Sequence, residues 1–80
     1  MFVTIKVSAG FRNYVKNIDH LLEDVSCEVS DGSTIRHVLE KMNFPQNVVS
    51  IILLNGNLAT KDEVLKENDH IYLAMPMVGG

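Results

Sequence analysis

Residues 31–45 hold the most restrictive pattern in the chain, one amphipathic helix fenced at both ends. Asp31-Gly32-Ser33-Thr34 reads as a turn running into a helix N-cap, because a Ser or Thr oxygen accepts from the free amides of the first turn. Ile35, Val38, Leu39 and Met42 then recur at i, i+3, i+4 and i+7 as one apolar stripe, with Arg36, His37, Glu40 and Lys41 facing water. Asn43 can end the helix, and Pro45 forbids its continuation. A lone helix of this kind must bury its stripe against something wider than itself.

What flanks it reads as strand. Val3, Ile5 and Val7 alternate with Thr4, Lys6 and Ser8, and Val25, Cys27 and Val29 alternate with Ser26, Glu28 and Ser30. These two strands are expected to pair as a hairpin with a long connection, since residues 10–24 show no clear period and read as loop. Val48-Val49-Ser50-Ile51-Ile52-Leu53-Leu54 is nearly all apolar, which predicts a strand covered on both faces, and Asn55-Gly56 predicts a tight hairpin into a brief return strand, Asn57-Leu58-Ala59. Thr60 can cap a short helical turn over 61–65, and Lys66-Glu67-Asn68-Asp69 is a polar turn. The last strand covers 70–75 with Ile71 and Leu73 pointing inward. One helix on one face of a small mixed sheet of four to five strands is a two-layer α+β domain, with the first and last strands central. No repeat or linker interrupts the sequence, so 1–80 is expected to be a single domain with a tail at 76–80.

That tail follows from residue chemistry. Proline has no backbone donor, so regular pairing should end at or just before Pro76. The five residues 76–80 can extend roughly 17 Å at about 3.4 Å each. Gly79 and Gly80 make the tip thin and conformationally free, and it ends in a carboxylate that another protein's active site can enclose. Frayed glycines without a role are the plainer alternative.

Other functions find little support. With 80 residues, 46% hydrophobic and 21% charged, the chain is expected to fold as one small globule. A net charge of −3 gives no basic face for nucleic acid or anionic membranes. No secretory signal and no apolar run near the roughly 20 residues of a membrane span is seen, so a reduced, cytoplasmic setting is the expectation. Cys27 is the single cysteine, which excludes an internal disulfide or a four-cysteine metal site within one chain. His20, His37 and His70 are too far apart in sequence for a metal-ligand motif. Glu23-Asp24 and Asp62-Glu63 read as solvated turn charges, and Gly32 and Gly56 as isolated turn residues rather than a phosphate cradle. No metal, no bound cofactor and no enzymatic activity are expected.

With these pieces in place the sequence resembles the ThiS/MoaD family of sulfur carriers, ubiquitin-like proteins of the β-grasp fold. The likeness rests on Asp31-Gly32-Ser33-Thr34 with the helix it opens, the strand closing on Leu54-Asn55-Gly56, the acidic turn Glu67-Asn68-Asp69, and Pro76-Met77-Val78-Gly79-Gly80. It covers residues 30–80 and the first strand, and the terminal Pro-x-x-Gly-Gly is its specific part. The chain departs from the pattern in its irregular 10–24 segment and in Met75 and Met77 around the tail proline.

The resemblance implies a carried substrate rather than a catalyst. An E1-like adenylating enzyme of the ThiF/MoeB type, using its own ATP and magnesium, would join the Gly80 carboxyl to AMP. A sulfur donor protein would then convert it to a thiocarboxylate, which serves a recipient synthase: the molybdopterin synthase large subunit or thiazole synthase. Gly79 would keep the approach slim, Pro76 would keep the tail off the sheet, and Met77 and Val78 complete the presented segment. Docking falls to Phe11, Tyr72, Met75 and Met77 if they form an exposed apolar patch; alternatively Phe11 and Tyr72 fill the edges of the core. The long first connection favours the molybdopterin branch over thiamine. The alternatives are a ubiquitin-like protein modifier, a carrier for tRNA thiolation, and an interaction domain in which the glycines are incidental.

Overall fold

Two hairpins and a helix meet on one central strand. The computed structural model describes residues 1–13, 19–45 and 51–74. Within them β1 (Phe2–Val7), β2 (Val25–Glu28), α1 (Ile35–Lys41), β3 (Ile51–Leu54), β4 (Asn57–Leu58) and β5 (His70–Ala74) follow in chain order. The sheet order is β2-β1-β5-β3-β4. β1 and β5 run parallel, and the other neighbours are antiparallel. This is the expected two-layer α+β arrangement, with the first and last strands inside the sheet.

The period-two pattern sets the faces. Val3, Ile5, Val7, Ile71 and Leu73 are buried toward Ile35, Val38 and Leu39 of α1, and Leu21, Phe44 and Leu65 complete the same core. The described parts of the 10–24 connection are not plain loop. They contain 3-10 turns at Ala9–Asn13 and Asp19–Leu21, which seat Phe11 and Leu21 in the core.

Helix α1 starts as its sequence predicts. Thr34 is the N-cap; its Oγ1 accepts the His37 N–H at 3.3 Å, and His37 Nδ1 accepts the Thr34 N–H at 3.1 Å. His37 thus stands where a capping box ordinarily has Glu or Gln. Asn43, at φ 55, closes the helix in the left-handed region.

Two expectations need correction. Residues 61–65 form no helical turn; they cap α1 instead, with the Ile35 and Arg36 amides donating to the carbonyls of Glu63 (3.2 Å) and Lys61 (2.9 Å). A bridge between Thr34 and Val64 and the Leu65 N–H bond to Ser33 hold the segment there. Second, β3 is not covered on both faces. Ile52 is buried and Leu54 packs on the core, whereas Ile51 and Leu53 are only half-buried on the side away from α1. Residues 48–50 of the expected strand lie outside the described residues, and the return strand stops at Leu58, one residue short of Ala59.

Candidate functional site

The face of the sheet opposite α1 is open, and strand register decides what it displays. Along β5 the inward Ile71 and Leu73 alternate with outward His70, Tyr72 and Ala74. Tyr72 pairs with Lys6 of β1 on one side and with Leu53 of β3 on the other; Leu53 in turn pairs with Leu58 of β4. One row, Lys6–Tyr72–Leu53–Leu58, therefore crosses four strands. In the next row Ala74 pairs with Ile51. Leu58 is 81% exposed, while Tyr72, Leu53 and Ile51 are half-buried. The row is apolar over three of its four positions and carries a cation at the fourth. It borders an open groove of about 340 Å³ floored by Leu53, Gly56 and Tyr72 and rimmed by Lys6, Asp24 and His70.

The upper end of this groove is fixed by polar side chains. Asn55 (φ 52) and Gly56 (φ 86) both have positive φ, the conformation of the tightest hairpin turn and one that Asn and Gly tolerate best. Asn55 Oδ1 accepts the His70 N–H at 2.9 Å, and Asn55 Nδ2 donates to Asp69 Oδ1 at 2.9 Å. Asp69 Oδ2 accepts the Lys66 N–H at 2.7 Å. The neighbouring Glu67 carboxylate accepts the Phe2 N–H at 2.6 Å, tying the start of β1 to the same turn. The acidic turn singled out in the sequence is thus a set of hydrogen-bond acceptors for two backbone amides and the Asn55 side chain.

Of the residues expected to matter, Tyr72 lies on the open face, and Met75, Pro76, Met77, Val78, Gly79 and Gly80 lie outside the described residues. Phe11 does not belong to an exposed patch. It is 0% exposed and stacks edge-to-face on Phe44, with ring centres 5.2 Å apart, so it is core. Cys27, whose alternation with valines suggests a small buried residue, is half-buried against the core. His37 caps the helix and His70 rims the groove. Among the described residues no cluster of His, Cys, Asp or Glu is placed to hold a metal, and no helix is long and apolar enough to cross a membrane. Sequence reading missed Ile51, Leu53 and Leu58. The signal was present in the Asn-Gly turn, because a two-residue loop fixes the register that puts Leu58 beside Leu53.

Comparison with known proteins gives a consistent picture. A family model described as Mut7-C ubiquitin matches residues 1–78. A search of curated protein sequences finds no match. Among solved structures, SAMP1 from Haloferax volcanii is similar over 100% of both chains, with a TM-score of 0.73 and 18% identity. A putative molybdopterin converting factor subunit 1 from Pyrococcus furiosus is similar over 96% of this chain and 99% of its own, at 0.71 and 21%. Subunits 1 and 2 of the molybdopterin-converting factor from Helicobacter pylori were solved as a complex; the chain matched there covers 100% of both, at 0.61 and 24%. The fold is the ubiquitin-like β-grasp.

Proposed function

The chain belongs to the Mut7-C ubiquitin family, and from that premise we propose that it is a ubiquitin-like carrier, handled by other proteins through its open sheet face and its Gly80 carboxyl group. The observation that carries this reading is the placement of β5. It is paired on both sides, presents Tyr72 in the middle of the apolar row, and leads the chain directly to 75–80. A partner docked on this face would therefore sit against the strand from which residues 75–80 continue.

The chemistry proposed for the tail is activation followed by sulfur transfer. A carboxylate is a poor electrophile. An adenylating enzyme of the ThiF/MoeB type would make the Gly80 acyl-adenylate from ATP with release of pyrophosphate, and a persulfide donor would then displace AMP. Reductive cleavage of the resulting acyl disulfide by a thiol would leave the thiocarboxylate. The chain itself supplies no catalytic group and holds no cofactor; ATP and magnesium belong to the activating enzyme. The structural likeness to molybdopterin converting factor subunit 1 supports a synthase as recipient, and we place the chain in a cytoplasmic sulfur-transfer route of that type. The likeness to SAMP1 supports a second reading, in which the activated carboxyl is joined to a lysine of another protein.

Intact-protein mass spectrometry distinguishes these readings. After incubation with a ThiF/MoeB-type enzyme, ATP, magnesium, a persulfide donor and a thiol reductant, a gain equal to one oxygen replaced by sulfur, absent when Gly80 is deleted, is the expected result. Conjugates on lysines without that gain would favour the modifier. No adenylate with any activating enzyme tried would overturn both in favour of an interaction domain.

A further inference from the structure

The regular ladder between β3 and β5 is continued past its last strand pair, Leu54↔Ile71, by the Asn55 N–H bond to the His70 carbonyl at 2.8 Å. Beyond that point the Asn55-Gly56 turn is held by side chains. A tight turn needs only Asn and Gly in the left-handed region. Here Asn55 also uses both ends of its amide, and the partner it engages is a carboxylate, Asp69, only 9% exposed. Asp69 spends its second oxygen on the Lys66 amide, and its own carbonyl accepts the Thr4 N–H at 2.8 Å. A carboxylate is rarely buried, and removing this one takes the acceptor from both the Asn55 amide and the Lys66 N–H. The turn so held brings Gly56 into the lining of the groove, beside His70 of β5.

We propose that the Asn55–Asp69 pair is the positioning device of the docking groove: it sets where the Asn55-Gly56 turn stands against His70 and Tyr72 of β5, and so sets the shape an activating enzyme meets. This rests on the docking reading above. Asn55 and Asp69 act through Gly56 and are positioning residues.

The chemistry of the pair supplies its own rescue. In Asp69→Asn, an amide NH₂ has to face one of two N–H donors. In Asn55→Asp, two carboxylates face each other. In the double variant N55D/D69N every bond can return with the roles exchanged. The carboxylate introduced at position 55 would accept from the His70 N–H and from the amide introduced at position 69, whose oxygen would accept from Lys66. Asp tolerates the left-handed conformation at position 55 as Asn does.

The test measures adenylation kinetics and amide NMR spectra of the full chain, at a temperature where all variants are folded. D69N is expected to raise KM for the carrier about tenfold with kcat changed less than about twofold, and the double variant to restore KM. The amides of Gly56, His70 and Tyr72 should move in D69N and return in the double variant, while those of Val38 and Leu39 stay. A D69N protein with lowered melting temperature but unchanged KM would overturn the proposal. So would a spectrum disturbed only at 66–69. If the wild-type chain is not adenylated at all, the carrier reading falls, and the position of Gly56 in the spectra decides this proposal alone.

Discussion

Phe11 stands edge-on to Phe44 with ring planes 72° apart, and this contact joins the first long connection to the segment that follows α1. Both rings are buried. Phe11→Ala should therefore cost about 3–5 kcal/mol, a large part of the roughly 5–15 kcal/mol by which a small domain is stable. Tyr72→Ala should cost much less in stability while weakening activation. Urea denaturation of both variants, beside adenylation assays, checks the contrast.

Leu58 is the most exposed large apolar side chain of the described residues. Leu58→Lys should change folding stability by no more than about 0.5 kcal/mol. Its effect should appear in affinity for the activating enzyme, measured by calorimetry. Unchanged affinity would remove the β4 end of the row from the interface.

The cap of α1 predicts an asymmetric pair. Thr34→Ala removes the acceptor for the His37 N–H and should cost about 1 kcal/mol. His37→Gln retains an acceptor for the Thr34 N–H and should be close to neutral. Equilibrium denaturation of the two variants separates them.

Gly56→Ala should destabilise the fold by about 1–2 kcal/mol, the cost of placing a side-chain-bearing residue in the left-handed region. Nothing lies within 4 Å of the added Cβ, so the loss is one of backbone conformation and not of collision. Relief of the cost by Gly56→Asn, relative to Ala, would confirm the cause.

Gly80→Val should abolish adenylation and leave the urea midpoint unchanged. Turnover equal to wild type in a folded Gly80→Val protein would show that the activating site does not require a slim terminal residue.

The elements legible in the sequence are those specified locally. Alternation places Val3, Ile5, Val7, Ile71 and Leu73, and Thr34 with Asn43 bounds the helix within a residue or so. What the sequence misleads on depends on distant partners. Lys61 and Glu63 give up a helical turn because their carbonyls are taken by the α1 amides. Phe11 sits in a 3-10 turn whose sequence has no period, so nothing local marks it as core. Leu53 reads as the middle of a covered strand, because the sequence shows that a strand is apolar and not that one of its faces lacks a second layer. The proposed reactive end, 75–80, rests on sequence chemistry alone.

The central seat of β5 has a consequence for synthesis. The partners of β5, β1 on one side and β3 on the other, emerge from the ribosome before it and have nothing between them until residues 70–74 follow. Pairings such as Ile5 with Ile71 span nearly the whole chain and are slow to form. Without β5 the local β3–β4 hairpin can still set Leu53 beside Leu58, but nothing joins that pair to Lys6, so the row across four strands exists only once β5 is seated.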